Sequence, residues 1–284
     1  MTSTIAKLGF TLGLASMALA TLPAQVLANS TSQSVTLQTP ARIHDGLNSP
    51  VGMAYDTSGN LYVANWSAGT VLRFTPDGQR RVFAKGLSGP SGLAISTGGD
   101  IYVASYSENV VWRFTPSGEQ SVFIRGLATP AGLSFDAHGR LLIANRQTNQ
   151  ILAAHPNGKI DVVAQDLQTP VGAIELPGGD LIVSNIAGSV SLVSGSTRAV
   201  VINTSLGSPG PGIVLAGDDS AYVVDYGGTT VNHIDRNGKR TVIADGLRSP
   251  VGLALAPDGS LTVATWSANA AFRIELNRQP GPPN

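Results

Sequence analysis

The chain has 284 residues, of which 18 are acidic and 18 are basic, so its formal net charge at neutral pH is zero. Because neither sign forms a long block, composition supplies no basic patch, and we expect no nucleic-acid partner. Cysteine is absent, which excludes disulfides, thiolate nucleophiles, cysteine metal sites and a lipoprotein anchor.

The N-terminal segment predicts a signal peptide. Residues 8–22 are apolar apart from small polar residues, follow Lys7, and lead to the small-residue pattern Val26-Leu27-Ala28. The alternative is a membrane anchor, but about 15 diluted apolar residues fall short of the roughly 20 that span a bilayer. We therefore expect residues 1–28 to be a cleaved signal peptide of a secreted or periplasmic protein with no membrane span after cleavage.

The segment of residues 35–47 resembles the last strand of a repeat found further along the chain. Its residues 41–47 align with residues 81–87, whereas the final repeat has only three apolar runs before the Pro/Gly-rich end. The N-terminal strand is therefore predicted to complete the last repeat unit and to close a ring.

The segment of residues 49–66 returns, recognisably edited, about every 40 residues, which is the period of a radial or solenoid repeat. The copies start near residues 50, 90, 130, 170, 210 and 250. The fifth copy is irregular, because Ser208-Pro209-Gly210-Pro211-Gly212 replaces the simpler Ser-Pro-x-Gly. Six copies leave no room for a second domain.

Each copy contains four short apolar runs separated by turn residues. In the first copy the runs are residues 52–55, 61–64, 70–74 and 80–84. Such runs, separated by Gly, Asp, Asn and Pro, predict antiparallel strands joined by tight turns. The sequence therefore predicts an all-β, six-bladed β-propeller with four-stranded blades, spanning residues 29–277 and followed by a disordered tail at 278–284.

The repeat motifs resemble those of a known family. Gly59-Asn60-Leu61-Tyr62-Val63-Ala64-Asn65 and the sequence of residues 71–78 resemble the NHL repeat, and more broadly the superfamily of SMP-30/gluconolactonase proteins and streptogramin (virginiamycin B) lyases. The resemblance covers all six repeats and implies the propeller fold. Propellers of this kind serve as lactonases, lyases, protein-binding sensors and RNA-binding modules, so function has to be argued from the site.

Strand order places two rings of residues at one mouth of the central channel. The residue that ends the second strand is polar in every blade: Asn65, Ser105, Asn145, Asn185, Asp225 and Thr265. These side chains can bind a ligand or cap loop backbone groups, and both interpretations stay open. The next residue in each blade is Trp66, Tyr106, Arg146, Ile186, Tyr226 or Trp266.

The aromatic members of the second ring lie in blades one, two, five and six, which are consecutive around a closed ring. They are predicted to form an aromatic arc opposite Arg146, although packing between blades is the alternative. Such surfaces bind sugars, peptides or flat ligands. The binding hypothesis is a small molecule, glycan or protein at the mouth. Its predicted contacts are Trp66, Tyr106, Arg146, Tyr226, Trp266, Asn65, Asn145 and Asn185.

The resemblance also implies an enzymatic alternative acting on lactones or cyclic esters, as a lactonase-type hydrolase or a lyase. In the gluconolactonase group, metal ligands follow the proline that enters the innermost strand. Here those positions are Val51, Ser91, Ala131, Val171 and Val251, with Gly210 or Pro211 in the fifth blade. Their side chains do not suit Ca²⁺ or Mg²⁺, which leaves Asn145, Asn185 and Asp225 as weak candidate ligands.

The lyase resemblance implies histidine and glutamate near the channel with a magnesium ion. The register places none of the four histidines at the mouth: His44, His138, His155 and His233. Asp225 is then a weak candidate catalytic residue, and Glu108 is interpreted as a solvated loop charge. A scaffold that assembles through its sheet edges is a third possibility.

Two irregularities stand out among the repeats. Glu175 occupies an otherwise apolar first-strand position, either reaching solvent or buried with a raised pKa. Residues 203–212 form a Pro/Gly-rich loop, which either closes over a ligand or reflects repeat drift.

Overall fold

The computed structural model describes residues 37–217 and 219–276. The expected signal peptide at 1–28 and the expected tail at 278–284 lie outside the described residues. Six separate four-stranded antiparallel sheets make up the fold, so the predicted six-bladed propeller with four-stranded blades is confirmed. Within the described ranges, the structure contains no helix that is long and apolar enough to cross a bilayer.

Each blade runs from the central channel to the outer rim. The innermost strands are β2 (Pro50–Tyr55), β6 (Pro90–Ile95), β10 (Pro130–Phe135), β14 (Pro170–Glu175), β18 (Pro209–Leu215) and β22 (Pro250–Leu255). The second strands are β3 (Leu61–Asn65), β7 (Ile101–Ser105), β11 (Leu141–Asn145), β15 (Leu181–Asn185), β19 (Ser220–Asp225) and β23 (Leu261–Thr265).

The outer half of each blade is built in the same way. The third strands are β4 (Thr70–Phe74), β8 (Val110–Phe114), β12 (Gln150–Ala154), β16 (Ser189–Val193), β20 (Val231–Asp235) and β24 (Ala270–Ile274). The outer strands are β5 (Arg80–Lys85), β9 (Gln120–Ile124), β13 (Ile160–Ala164), β17 (Ala199–Asn203), β21 (Arg240–Ala244) and β1 (Ala41–His44).

The hydrophobic core lies between neighbouring blades. All five residues of β3 are buried, as are those of β7, β11, β15 and β23. Strands covered on both faces favour continuous apolar sequence rather than alternation. One cluster, for example, joins Tyr62 and Val71 of the first blade to Leu93 and Val103 of the second. The blades therefore hold one another in place through apolar packing.

The pairing register fixes what reaches the mouth. In every blade the proline that begins the innermost strand lies opposite the polar residue that ends the second strand, as for Pro50 and Asn65. The innermost strands begin two residues earlier than predicted from the apolar run at 52–55, because the pairing continues across an irregularity between Pro50 and Met53. Both rings identified in the sequence therefore lie at one end of the channel.

A glycine of each innermost strand lies against the backbone of the next blade. A Cβ placed on Gly92 would lie 2.6 Å from the backbone nitrogen of Leu133 and would also overlap the carbonyl oxygen of Ala131. The corresponding Cβ on Gly212 would lie 2.7 Å from the nitrogen of Leu253. These glycines are needed for close approach of two backbones rather than for a turn.

The N-terminal strand lies at the seam of the ring. β1 pairs antiparallel with β24, with Ala41 opposite Arg273. The ring of His44 stacks on Phe74 of the first blade at a centroid distance of 4.0 Å, and the amide of Gln38 donates to Ile243 O at 2.9 Å in the fifth blade. One short segment thus contacts three blades, and its role in fastening the ring is a prediction.

We expect Gly92→Ala to destabilise the fold by about 3 kcal/mol or more, because backbone atoms of the next blade cannot move aside without disturbing the ring. The matched control is Gly98→Ala, where the nearest atom to an added Cβ is Ser96 Oγ at 3.8 Å. Thermal and urea unfolding followed by circular dichroism compares the two variants. Equal stability of both would contradict the close-approach account.

Deletion of residues 35–45 is expected to abolish cooperative unfolding, because the sixth sheet then loses its outer strand and exposes the edge of β24. Arg42→Ala serves as the control, since it keeps the strand backbone and removes one exposed side chain with its contacts to Asp45 and the Phe272 ring. A deleted protein that melts like the full chain would show that the N-terminal strand does not fasten the ring.

Candidate functional site

A cavity of about 260 Å³ opens at the mouth where the two rings were predicted. Each blade contributes two residues to its wall: the one before the glycine of the innermost strand and the one that follows the second strand. The wall consists of Val51, Trp66, Ser91, Tyr106, Ala131, Arg146, Val171, Ile186, Pro211, Tyr226, Val251 and Trp266. The structure therefore brings together all six residues of the second ring.

Loop backbone contacts position the second ring. The amide of Trp66 donates to Ser49 O at 3.0 Å, and that of Trp266 donates to Ser249 O at 3.1 Å. In both cases the acceptor belongs to the loop that enters the innermost strand of the same blade. Arg146 begins a short 3₁₀ helix, Arg146–Thr148, that follows β11. All six side chains are half-buried, with one part packed and another part reaching the cavity.

The four aromatic rings contact one another in a continuous series. Trp66 lies 5.0 Å from Tyr106 and 6.4 Å from Trp266, measured between ring centroids. Tyr226 meets Trp266 edge to face at 5.6 Å. Aromatic pairs with this spacing are mutually stabilising and hold their rings in place. The sequence left two alternatives for these rings, packing between blades or exposure to the cavity. In the structure the rings do both.

Arg146 continues the series on the other side of Tyr106. Its guanidinium lies over the Tyr106 ring, 5.9 Å from the centroid, and donates a hydrogen bond to the Tyr106 hydroxyl. The Arg146 Nε atom is buried and has no hydrogen-bond partner. Among the residues lining the cavity, Arg146 is the one with a formal charge.

The first ring caps the entering loops. Asn65 Oδ1 accepts a hydrogen bond from the amide of Asn48 at 3.0 Å, and Asn145 Oδ1 accepts one from Ala128 at 2.8 Å. Asn185 Oδ1 accepts one from Gln168 at 3.2 Å. These asparagines are buried and absent from the cavity wall. Their contact with a ligand stays a prediction, and their side-chain oxygens accept from the loop backbone.

Asp225 also caps the entering loop of its blade, and it uses both carboxylate oxygens. Its Oδ2 accepts from the Gly207 amide at 3.0 Å and its Oδ1 from the Ser208 amide at 2.8 Å. The carboxylate holds down the Pro/Gly-rich loop, which Ser208 also ties to the fourth blade through a 2.7 Å hydrogen bond to Ile186 O. Asn145, Asn185 and Asp225, the candidate metal ligands, thus already use acceptor oxygens on loop amides.

Glu108 lies in the mouth loop of the second blade but is engaged locally. Its carboxylate accepts hydrogen bonds from the Ser105 hydroxyl and from the Trp112 indole at 3.0 Å. These two hydrogen bonds, chiefly the one from Ser105, hold the pKa of Glu108 below its ordinary value. An ionised, internally bonded carboxylate agrees with its interpretation as a loop charge.

A group of side chains that sequence reasoning did not bring together lies at the opposite end of the channel. Asp136, His138 and Glu175 offer ligand atoms within 4.8 Å of one another, a spacing compatible with one metal ion. Glu175 is half-buried and accepts a 2.5 Å hydrogen bond from the Ala137 amide. Asp136 pairs with Arg140. Asp136 and His138 share one turn, but Glu175 comes from the next blade, so only the fold joins them.

The other histidines also lie away from the cavity wall, as predicted. His155 contacts Asp161 at 2.7 Å beyond the end of β12, and His233 lies within β20, where its Nε2 is 2.7 Å from Ser220 Oγ. No imidazole and no carboxylate is among the residues that line the mouth cavity.

No protein-family model and no curated protein matches this chain. Solved structures match it in fold. A putative gluconolactonase is 17% identical with a TM-score of 0.73, over 84% of this chain and 92% of the other. A gluconolactonase from Xanthomonas campestris is 14% identical with a TM-score of 0.73, over 86% and 99%. A streptogramin B lyase is 14% identical with a TM-score of 0.65, over 84% and 97%.

We expect Asp225→Ala to lower the free energy of unfolding by about 1–3 kcal/mol, because two loop amides lose their acceptor. Asp225→Asn is the matched control and should cost less, since asparagine caps the same loop in other blades through one oxygen. Urea unfolding of the three proteins measures the difference. If alanine is as stable as the parent, the capping role is refuted.

Proposed function

We propose that the protein is an exported binding protein. Its ligand is a small, largely apolar molecule with a flat ring system, which binds in the mouth cavity. The observation that carries the proposal is the continuous aromatic arc of Trp66, Tyr106, Tyr226 and Trp266 along the wall of one concave cavity. Export is supported by the signal-peptide pattern at residues 1–28.

The composition of the wall favours a small apolar molecule over a glycan. Sugars need several polar partners, but Ser91 is already bonded within the protein, with its hydroxyl 2.9 Å from Pro130 O. The remaining first-strand positions in the wall are aliphatic or proline. Small-molecule sites are typically concave and mostly apolar with a few placed polar groups. A protein partner would bury only a small part of its surface in a cavity of this size.

Binding is also favoured over turnover at this mouth. Lactone hydrolysis and lyase chemistry call for a general base or a bound metal, and general bases are usually imidazoles or carboxylates. Asp225, the candidate from the sequence, accepts two loop amides. Gluconolactonase and lyase activity, named for the structural neighbours, is thus the alternative. It predicts lactone turnover that requires Asp225 and a divalent ion.

The test uses 2-naphthamide, a neutral flat compound, titrated into the protein by calorimetry. We expect binding that Trp66→Ala and Trp266→Ala each weaken about tenfold or more, because each removes a large aromatic contact surface. Trp112→Phe is the control, since Trp112 is half-buried against the apolar cluster between the first two blades and does not line the cavity.

Circular dichroism melting of each variant establishes that it is folded. Folded variants that bind as tightly as the parent would overturn the arc as the binding surface, and so would a parent that binds no flat apolar compound.

A further inference from the structure

Arg146 is a charged side chain set into an otherwise uncharged wall. Its neighbours in the cavity are aromatic or aliphatic apart from Ser91, and its contacts are the Tyr106 hydroxyl and ring. In the described parts of the chain, no ion pair joins it to a carboxylate. Elsewhere, arginines are often paired: Arg140 with Asp136, Arg113 with Asp100 and Arg273 with Asp258.

This arrangement carries an energetic consequence. A guanidinium remains protonated in proteins, so Arg146 cannot lose its charge when water leaves the cavity. Filling the cavity with a neutral apolar molecule would remove water from a charge that has no counter-ion, which is unfavourable. A ligand that brings its own negative charge would instead gain a strong, charge-assisted contact.

We propose that the ligand is a small organic acid, with an apolar ring system on the aromatic arc and one carboxylate on Arg146. The proposal rests on the proposed function and adds the chemical class of the ligand. Blade three lies diametrically opposite blade six in a ring of six, so Arg146 and Trp266 belong to opposite sides of the cavity wall. The planar guanidinium fork matches a carboxylate in geometry.

The Tyr106 side chain has a positioning role in this account. Its ring lies under the guanidinium and its hydroxyl accepts from it, which restricts the long arginine side chain before a ligand arrives. A restricted side chain loses less conformational entropy on binding. Tyr106 also contacts Trp66, so the anion site and the aromatic arc form one continuous surface.

The experiment compares 2-naphthoate with 2-naphthamide by calorimetry at neutral pH and moderate salt. The two compounds share the ring system and differ in charge. We expect the parent protein to bind naphthoate about tenfold or more tightly than naphthamide, as for a hydrogen bond to a charged group. Arg146→Gln should remove this preference, so that the variant binds the two compounds about equally, and Arg146→Lys should retain part of it.

Arg81→Gln is the matched control. Arg81 is an exposed arginine on β5, so its removal changes the net charge equally without touching the cavity, and the preference for naphthoate should persist.

The outcomes separate the two proposals. If the parent binds the two compounds equally, or if Arg146→Gln keeps the parent's preference for naphthoate, the organic-acid proposal is overturned while the aromatic binding site stands. If Arg81→Gln lowers the preference as much as Arg146→Gln does, the effect is net charge and the site assignment fails. Binding of neither compound removes both proposals.

Discussion

The close approach of the innermost strands around the channel is the constraint on which the rest of the structure depends. At Gly92 and Gly212 a single added carbon would overlap the backbone of the following blade. The sixth blade repeats the contact, because a Cβ on Gly252 would overlap the carbonyl oxygen of Val51 in the first blade. The glycine that recurs at this strand position therefore determines how closely the innermost strands of neighbouring blades approach one another.

This close approach of the innermost strands separates two cavities of the channel. The residue before each glycine, such as Val51, lines the mouth that carries the aromatic arc. The residues after it, such as Met53 and Tyr55, line a second cavity of about 290 Å³ at the other end. The two cavities thus lie on either side of the glycine positions. The mouth cavity is walled mostly by aliphatic and aromatic side chains, with Ser91 and Arg146 among its polar members, which suits a small ligand.

Much of this arrangement could be predicted from the sequence, because it follows from a period. Pro50 and Asn65 recur about 40 residues apart along the chain, and a propeller turns that period into rings. The membership of the second ring, Trp66 through Trp266, came directly from this register. What the register cannot supply is side-chain direction: Asn65 and Asn145 lie next to the mouth in sequence yet turn their oxygens to the loops.

Contacts between blades were beyond the sequence for a different reason. Asp136 and Glu175 come from different repeats and meet only because neighbouring blades pack at a particular angle. The lack of an ion-pair partner for Arg146 in the described residues is likewise a property of the assembled mouth, since several carboxylates lie within a few residues of mouth loops in the sequence. Hydrophobic periodicity determines strands and their order, whereas the polar pairing that decides chemistry depends on packing.

The most direct test of the binding account is to observe the indole N–H signals of the protein by NMR during titration with 2-naphthamide. The chain has three tryptophans, of which Trp66 and Trp266 line the cavity and Trp112 does not. The account predicts that the Trp66 and Trp266 signals shift together and saturate, while the Trp112 signal stays in place. A shift of Trp112 alone, or no shift of any indole signal, would contradict it.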